Sequence, residues 1–181
     1  EDEIKKMNLN EKERSIIKSY YKNSDIFRYS TNSVSHKKNL IFATRDLELN
    51  NLPNIKDHFS KYKQVIKARS TGRGEIQAAL KLGKWWVIFA ARLGVDFEGP
   101  KIVFPQRSRM NTFGYNEEQW YGGTDIYIIT NRSNENVHLK YILSVINSKL
   151  FYIWLYNRGK RKGEILELLY KPISELPIKN I

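Results

Sequence analysis

Gln106, Arg107, Ser108, Arg109 and Asn111 stand in one short run, and each carries a side chain that can hydrogen-bond base edges or phosphates. Arg107 and Arg109 alternate, so an extended backbone points them the same way with Ser108 opposite. Arginine suits such a pair, because its planar fork makes bidentate bonds to guanine or phosphate that lysine cannot. Lys160, Arg161 and Lys162, with Arg158 just ahead, form a second basic run. At a helix C-terminus a cation gains about 0.3–1 kcal/mol from the macrodipole. Three in succession with no acid before Glu164 exceed what capping needs, which favours phosphate contact. Lys84 precedes Trp85 and Trp86, whose rings offer stacking surfaces for bases, although core packing claims at least one of them. Arg73, in the glycine-containing stretch 70–74, is a further candidate for base-edge contact.

The elements that must position these residues are legible in part. Lys101–Phe104 and Asp125–Ile129 carry the β-branched and aromatic residues of buried strands, punctuated by Pro100, Pro105 and Gly122-Gly123. Residues 1–8 read as a charged linker, and Asn10 with Glu13 has capping-box spacing for a first helix whose apolar face begins at Ile16, Ile17 and Tyr20. Tyr21–Ile26 turns, and Asn39–Ala43 reads as a brief strand. Ile55, Phe59, Tyr62 and Ile66 predict a helix from Pro53 to Arg69, broken by 70–74. Lys84–Phe89 favours strand over helix. Leu139, Ile142, Leu143, Ile146, Leu150, Ile153 and Trp154 form a core stripe on a helix from Val137 to Tyr156, closed near Gly159. A short return runs from Tyr170 to Ile178. The predicted fold is α+β: a mixed or antiparallel sheet with packed helices, including a long amphipathic C-terminal one.

At 181 residues, 41% of them hydrophobic, the chain can bury a sizeable core. Its net charge of +12 makes polyanions the expected partners, nucleic acid before a membrane surface. Between Lys61 and Arg109 stand eleven Lys or Arg against Glu75, Asp96 and Glu98, so the charge is expected to be concentrated in space. Zero cysteines exclude disulfides, thiolate nucleophiles and cysteine-ligated zinc, and fit a reducing cytoplasm. No apolar run approaches the roughly 18 residues of a membrane span, and the N-terminus is too polar for a signal peptide. Lacking an initiator methionine, the chain is expected to be a piece of a longer protein. Phosphate-cradling P-loop, GxGxxG and HExxH motifs are absent, and His36, His58 and His138 lack metal-ligand spacing. Asp96, Glu98 and Lys101 faintly suggest a metal-dependent nuclease cluster without its acid–lysine spacing. Glu3 and Lys5 have that spacing, but in the terminal linker.

One ordered set of short motifs runs through the chain: Tyr21-Lys22-Asn23-Ser24-Asp25-Ile26, Pro53-Asn54-Ile55, Lys84-Trp85-Trp86 and Pro100-Lys101-Ile102-Val103. Tyr121 to Tyr127, Leu139-Lys140-Tyr141-Ile142-Leu143 with Asn147-Ser148-Lys149, and Leu176-Pro177-Ile178 continue it. From Ser19 to Ile178 this set resembles the TaqI-like C-terminal specificity domain, the target-recognition part of adenine-specific DNA methyltransferases, including type IIG restriction-modification enzymes. The resemblance implies a non-catalytic, cytoplasmic domain spanning 19–181, preceded at 1–18 by the linker and the start of the first helix. It would bind duplex DNA opposite a methyltransferase domain of the same parent chain, which would hold S-adenosylmethionine and flip out the adenine. No cofactor is expected in this segment, and the family's catalytic Asn-Pro-Pro-aromatic signature is absent, since no Asn-Pro pair occurs. A recognition domain of a type I restriction specificity subunit is the nearest alternative. A metal-dependent nuclease and an RNA-binding module are alternatives of other classes.

Overall fold

The computed structural model describes residues 2–32, 38–69, 74–92, 94–131 and 138–179. Its first half runs α1 (Asp2–Lys6), α2 (Glu11–Ser15), β1 (Ile17–Tyr21), β2 (Tyr29–Ser30), β3 (Asn39–Ile41), α3 (Pro53–Ser60), α4 (Lys63–Ala68) and α5 (Glu75–Lys81). There follow β4 (Lys101–Pro105), β5 (Arg107–Ser108), β6 (Gly114–Asn116), β7 (Tyr121–Gly122) and β8 (Ile126–Ile129). The chain closes with α6 (Leu139–Ile146), α7 (Lys149–Arg158), β9 (Lys160–Lys162), β10 (Ile165–Glu167) and α8 (Tyr170–Ser174). The fold is α+β, and it divides into two compact units, 1–18 with 37–94 and 19–36 with 95–181.

The first unit is mostly helical and its keystone is Glu13. Asn10 caps α2 by accepting from the Glu13 amide at 2.9 Å, while the Glu13 carboxylate accepts from the Asn10 amide at 3.0 Å. The same carboxylate accepts from the Asn54 and Ile55 amides at 2.7 and 3.2 Å, and from Asn54 Nδ2 at 2.8 Å. Pro53 opens α3 at a position where its missing N–H costs nothing, and Leu52 offers no side-chain cap. Glu13 therefore caps two helices at once, fully buried. Burial opposes its ionisation, but these hydrogen bonds outweigh that and hold its carboxyl below the usual carboxylate range. Leu9, Leu49, Leu52 and Ile55 form the core beneath.

Four predicted elements differ here. Residues 2–6 form a helix where a linker was expected. The first helix stops at Ser15, because Ile16 and Ile17 feed strand β1 instead of extending an apolar helical face. The Pro53–Arg69 helix is interrupted at Lys61-Tyr62 into α3 and α4. Lys84–Phe89 forms turns, not a strand: Trp85 packs edge-on against Trp86 at 5.9 Å and Phe59 at 6.3 Å, so the aromatic content serves packing.

In the second unit β4 is the central strand of a four-stranded sheet of order β2-β6-β4-β8 and is buried from end to end. It runs antiparallel to β6 and β8, with Val103 opposite both Gly114 and Ile128. Gly114 is required where it stands, since a Cβ there would meet the Ser30 carbonyl oxygen at 2.5 Å. Tyr20 and Tyr21 of β1 pair in parallel with Tyr121 and Gly122 of β7. Tyr21 stacks on fully buried Trp120 with ring centroids 4.9 Å apart, beside Ile26, Val103 and Ile126. The larger core joins Ile102, Phe104 and Phe113 to Leu139, Leu143, Ile146, Phe151 and Leu155 of the C-terminal helices.

The expected long C-terminal helix is present as two helices. Asn147 and Ser148 break it: Asn147 is fully buried, its Nδ2 donating to the Phe113 carbonyl at 2.8 Å and its Oδ1 accepting from the Phe113 amide at 3.1 Å. Its amide thus mimics a strand neighbour to Phe113, while Ser148 caps α7 by accepting from the Phe151 amide.

Candidate nucleic-acid interface

Arg107 and Ser108 form β5, an edge of a three-stranded antiparallel sheet of order β5-β10-β9. The three residues of β9 are Lys160, Arg161 and Lys162, so the second basic run is a strand and not the tail of a helix cap. Register determines what each side chain meets. Glu167 on the central strand lies directly opposite Lys160 on one side and Arg107 on the other. Its Oε1 accepts from Arg107 Nε and pairs with Arg107 Nη2, both at 3.2 Å, and its Oε2 lies 3.4 Å from Lys160 Nζ. Partial burial opposes ionisation of Glu167, yet the bonds and charges of Lys160 and Arg107 hold its carboxyl below the usual range. Alternation along β10 explains the division of faces: Leu166 and Leu168 enter the core while Glu167, itself largely covered, lies on the opposite face beneath Arg107 and Lys160. Lys162 shares the side of Lys160, and Arg161, on the other side, lies over the Tyr156 ring at 3.8 Å. Arg158, the last residue of α7, is exposed next to this sheet in sequence.

The expected pairing of Arg107 with Arg109 is not formed. Strand β5 ends at Ser108, whose hydroxyl meets that of Thr112 at 2.9 Å, and the chain turns. Arg109 instead lines a cavity of about 260 Å3 with Arg28, Lys149, Met110, Asn111 and Tyr152. Three cations from separate stretches of chain converge there with no acid in the lining. Arg28 is held by donating to the main-chain carbonyl of Asn147, and Asn111 fixes the other wall. Asn111 is 2% exposed, and its Nδ2 donates to the Ile146 and Ser148 carbonyls at 2.7 and 2.9 Å. It is a bracket for the loop, unavailable to a base edge.

Other predicted residues lie in the first unit. Lys84 Nζ donates to the Arg45 carbonyl at 2.8 Å and pairs with Glu48. Trp85 is half-buried in the aromatic cluster with Lys63 6.0 Å from its ring centroid. Arg73 and His36 lie outside the described residues. Within the basic stretch Lys61–Arg109, Lys101 is fully buried and contributes nothing to a charged surface. Lys101 donates to the Gly99 and Glu118 carbonyls at 2.6 Å each, and burial lowers its pKa. Asp96, its carboxyl pulled down by accepting from the Gly99 and Glu98 amides, closes the same turn. These groups, which faintly suggested a nuclease, brace a strand entry.

Sequence reasoning missed Glu167, Arg28 and Lys149. Glu167 did leave a signal, as an acid between two leucines in Ile165-Leu166-Glu167-Leu168. Arg28 and Lys149 left none, because only the tertiary fold brings them to Arg109.

Residues 18–178 match the model of the TaqI-like C-terminal specificity domain, and the chain belongs to that family. Among curated proteins it is similar to the type II methyltransferase M.HincII of Haemophilus influenzae, 24% identical over 135 residues that cover 71% of this chain and 26% of the relative. The type II methyltransferase M.HindII of Haemophilus influenzae matches at 24% identity over 135 residues, 71% of this chain and 25% of that protein. The chain thus spans about a quarter of the length of the curated relatives it matches.

Proposed function

We propose that this chain is the target-recognition domain of an adenine-specific restriction-modification DNA methyltransferase, and that it binds duplex DNA without catalysing a reaction itself. The observation that carries this reading is the β5-β10-β9 sheet, whose short strands present Arg107, Lys160, Arg161 and Lys162 on a rigid frame. Family membership and the type II methyltransferase relatives support it. Lys160, Lys162 and the Arg28–Arg109–Lys149 cavity serve as backbone contacts, releasing counterions from the duplex and fixing register. Base edges fall to the sheet. Methyl transfer and S-adenosylmethionine binding are assigned to a methyltransferase domain elsewhere in the same protein, since this chain contains no Asn-Pro pair from which the family's catalytic signature could be built.

Duplex binding measured between about 50 and 200 mM salt tests the reading, because six to ten phosphate contacts imply a loss of roughly 10³–10⁵ in affinity over that range. The expected result is a steep linear fall in log affinity with log salt, with duplex DNA preferred over RNA of the same sequence. A flat dependence, or tighter binding to RNA, overturns it.

A further inference from the structure

An arginine offers two bidentate edges: a side edge of Nε and one Nη, and an outer edge of both Nη groups. In Arg107 the side edge is occupied, since Nε and Nη2 both face Glu167 Oε1 at 3.2 Å. The outer edge is left, on a side chain that is 55% exposed against 10% for Glu167. Glu167 is in turn held from its other oxygen by Lys160 at 3.4 Å and by β10, whose two neighbouring strands fix its backbone on both sides. Guanine presents O6 and N7 in the major groove at a spacing matched by that outer edge. Arg109 has no such buttress: among the described residues it makes no hydrogen bond or ion pair, and it faces two other cations.

We propose that Arg107 reads a guanine in the target site and that Glu167 is the positioning residue that aims it, with Lys160 steadying Glu167. This rests on the duplex-recognition reading above and adds to it a base and a side chain. A carboxylate beside a DNA-binding surface repels phosphate, so on charge alone Glu167 opposes affinity. Its placement makes physical sense where the orientation of Arg107 matters more than one unit of attraction. Fixing the guanidinium before binding removes part of the ordering cost that a free arginine incurs at the moment of contact.

The test uses the intact protein and a panel of duplexes in which each base pair of its preferred site is replaced in turn. Glu167→Ala is expected to bind non-specific duplex at least as well as the wild type while losing roughly 5- to 150-fold discrimination at one G·C pair, the range a single bidentate contact supplies. Arg107→Lys, which keeps the charge and loses the fork, is expected to lose discrimination at the same pair. Glu167→Asp, which keeps the carboxylate on a shorter arm, should recover part of it. Should Glu167→Ala fail to fold, Arg107→Lys decides: loss confined to one G·C pair supports the proposal, and a uniform change overturns it. Uniformly tighter binding of Glu167→Ala to every duplex, or losses by the two variants at different pairs, likewise overturns the proposal and leaves the recognition reading intact. A wild type that binds every duplex in the panel alike overturns the recognition reading itself.

Discussion

Asn147→Ala removes a side chain that helps make a helix break compatible with a sealed core, alongside Asn111 and Ser148. The Asn147 carboxamide satisfies both backbone groups of fully buried Phe113, and Asn147 itself is fully buried. After truncation the Phe113 amide has no replacement partner within that core, a loss worth about 1–3 kcal/mol. The Phe113 carbonyl keeps the Tyr29 amide at 2.8 Å, so its second bond costs only about 0.5–1.5 kcal/mol. The sum is about 1.5–4.5 kcal/mol, or roughly 3–18 °C in Tm for a chain of this size. Denaturant titration followed by circular dichroism measures it, with the thermal midpoint as a second reading. A loss under about 1 kcal/mol would refute the view that this amide stands in for a strand neighbour. The variant should also weaken DNA binding, because the Asn147 carbonyl holds Arg28 and the break sets Lys149 at the cavity.

Other consequences are testable in parallel. Glu13→Gln should cost about 1–3 kcal/mol at neutral pH through its lost charge-assisted bonds to the α2 and α3 termini. Because the folded carboxyl titrates below its ordinary value of 4.5, the stabilisation is complete above that value and lost as pH falls through the lower folded one. The wild type and Glu13→Gln should therefore converge in stability as pH falls below the ordinary carboxylate range, and a gap that stays constant with pH contradicts the assignment. Arg109→Ala and Lys149→Ala should each weaken all duplexes about equally and flatten the salt slope by about one. Sequence-dependent losses would move base readout into the cavity. Incubated with plasmid, S-adenosylmethionine and magnesium, the chain is expected neither to methylate nor to nick. Either activity, abolished by Asp96→Ala, would revive the enzyme readings.

What was legible in the sequence was whatever local physics determines. The branched and aromatic runs of β4 and β8 and the Asn10–Glu13 capping box announce themselves, because strand packing and helix caps are written in adjacent residues. The stripe from Leu139 to Trp154 has helical period throughout, and nothing local shows that Asn147 turns inward to bond Phe113, 34 residues away. Arg107 and Arg109 were separated by a turn at Ser108 that strand alternation cannot foresee. Asn111 illustrates the commonest failure: a polar side chain in a basic loop looks like a reader of bases, and buried carbonyls claim it first. Lys160–Lys162 had the right residues in the wrong element, since the hydrogen-bonding partner β10 lies beyond a turn at Gly163.

The central claim is that this chain selects DNA by sequence, and affinity selection by the intact protein from a library of randomised duplexes tests it most directly. The account predicts that successive rounds enrich one recurring base pattern that contains a G·C pair, and that Arg107→Lys relaxes the pattern at that pair while leaving the rest. Recovery of duplexes with no common pattern, from a protein that still binds DNA, would contradict it and reduce the basic surface to non-specific attraction.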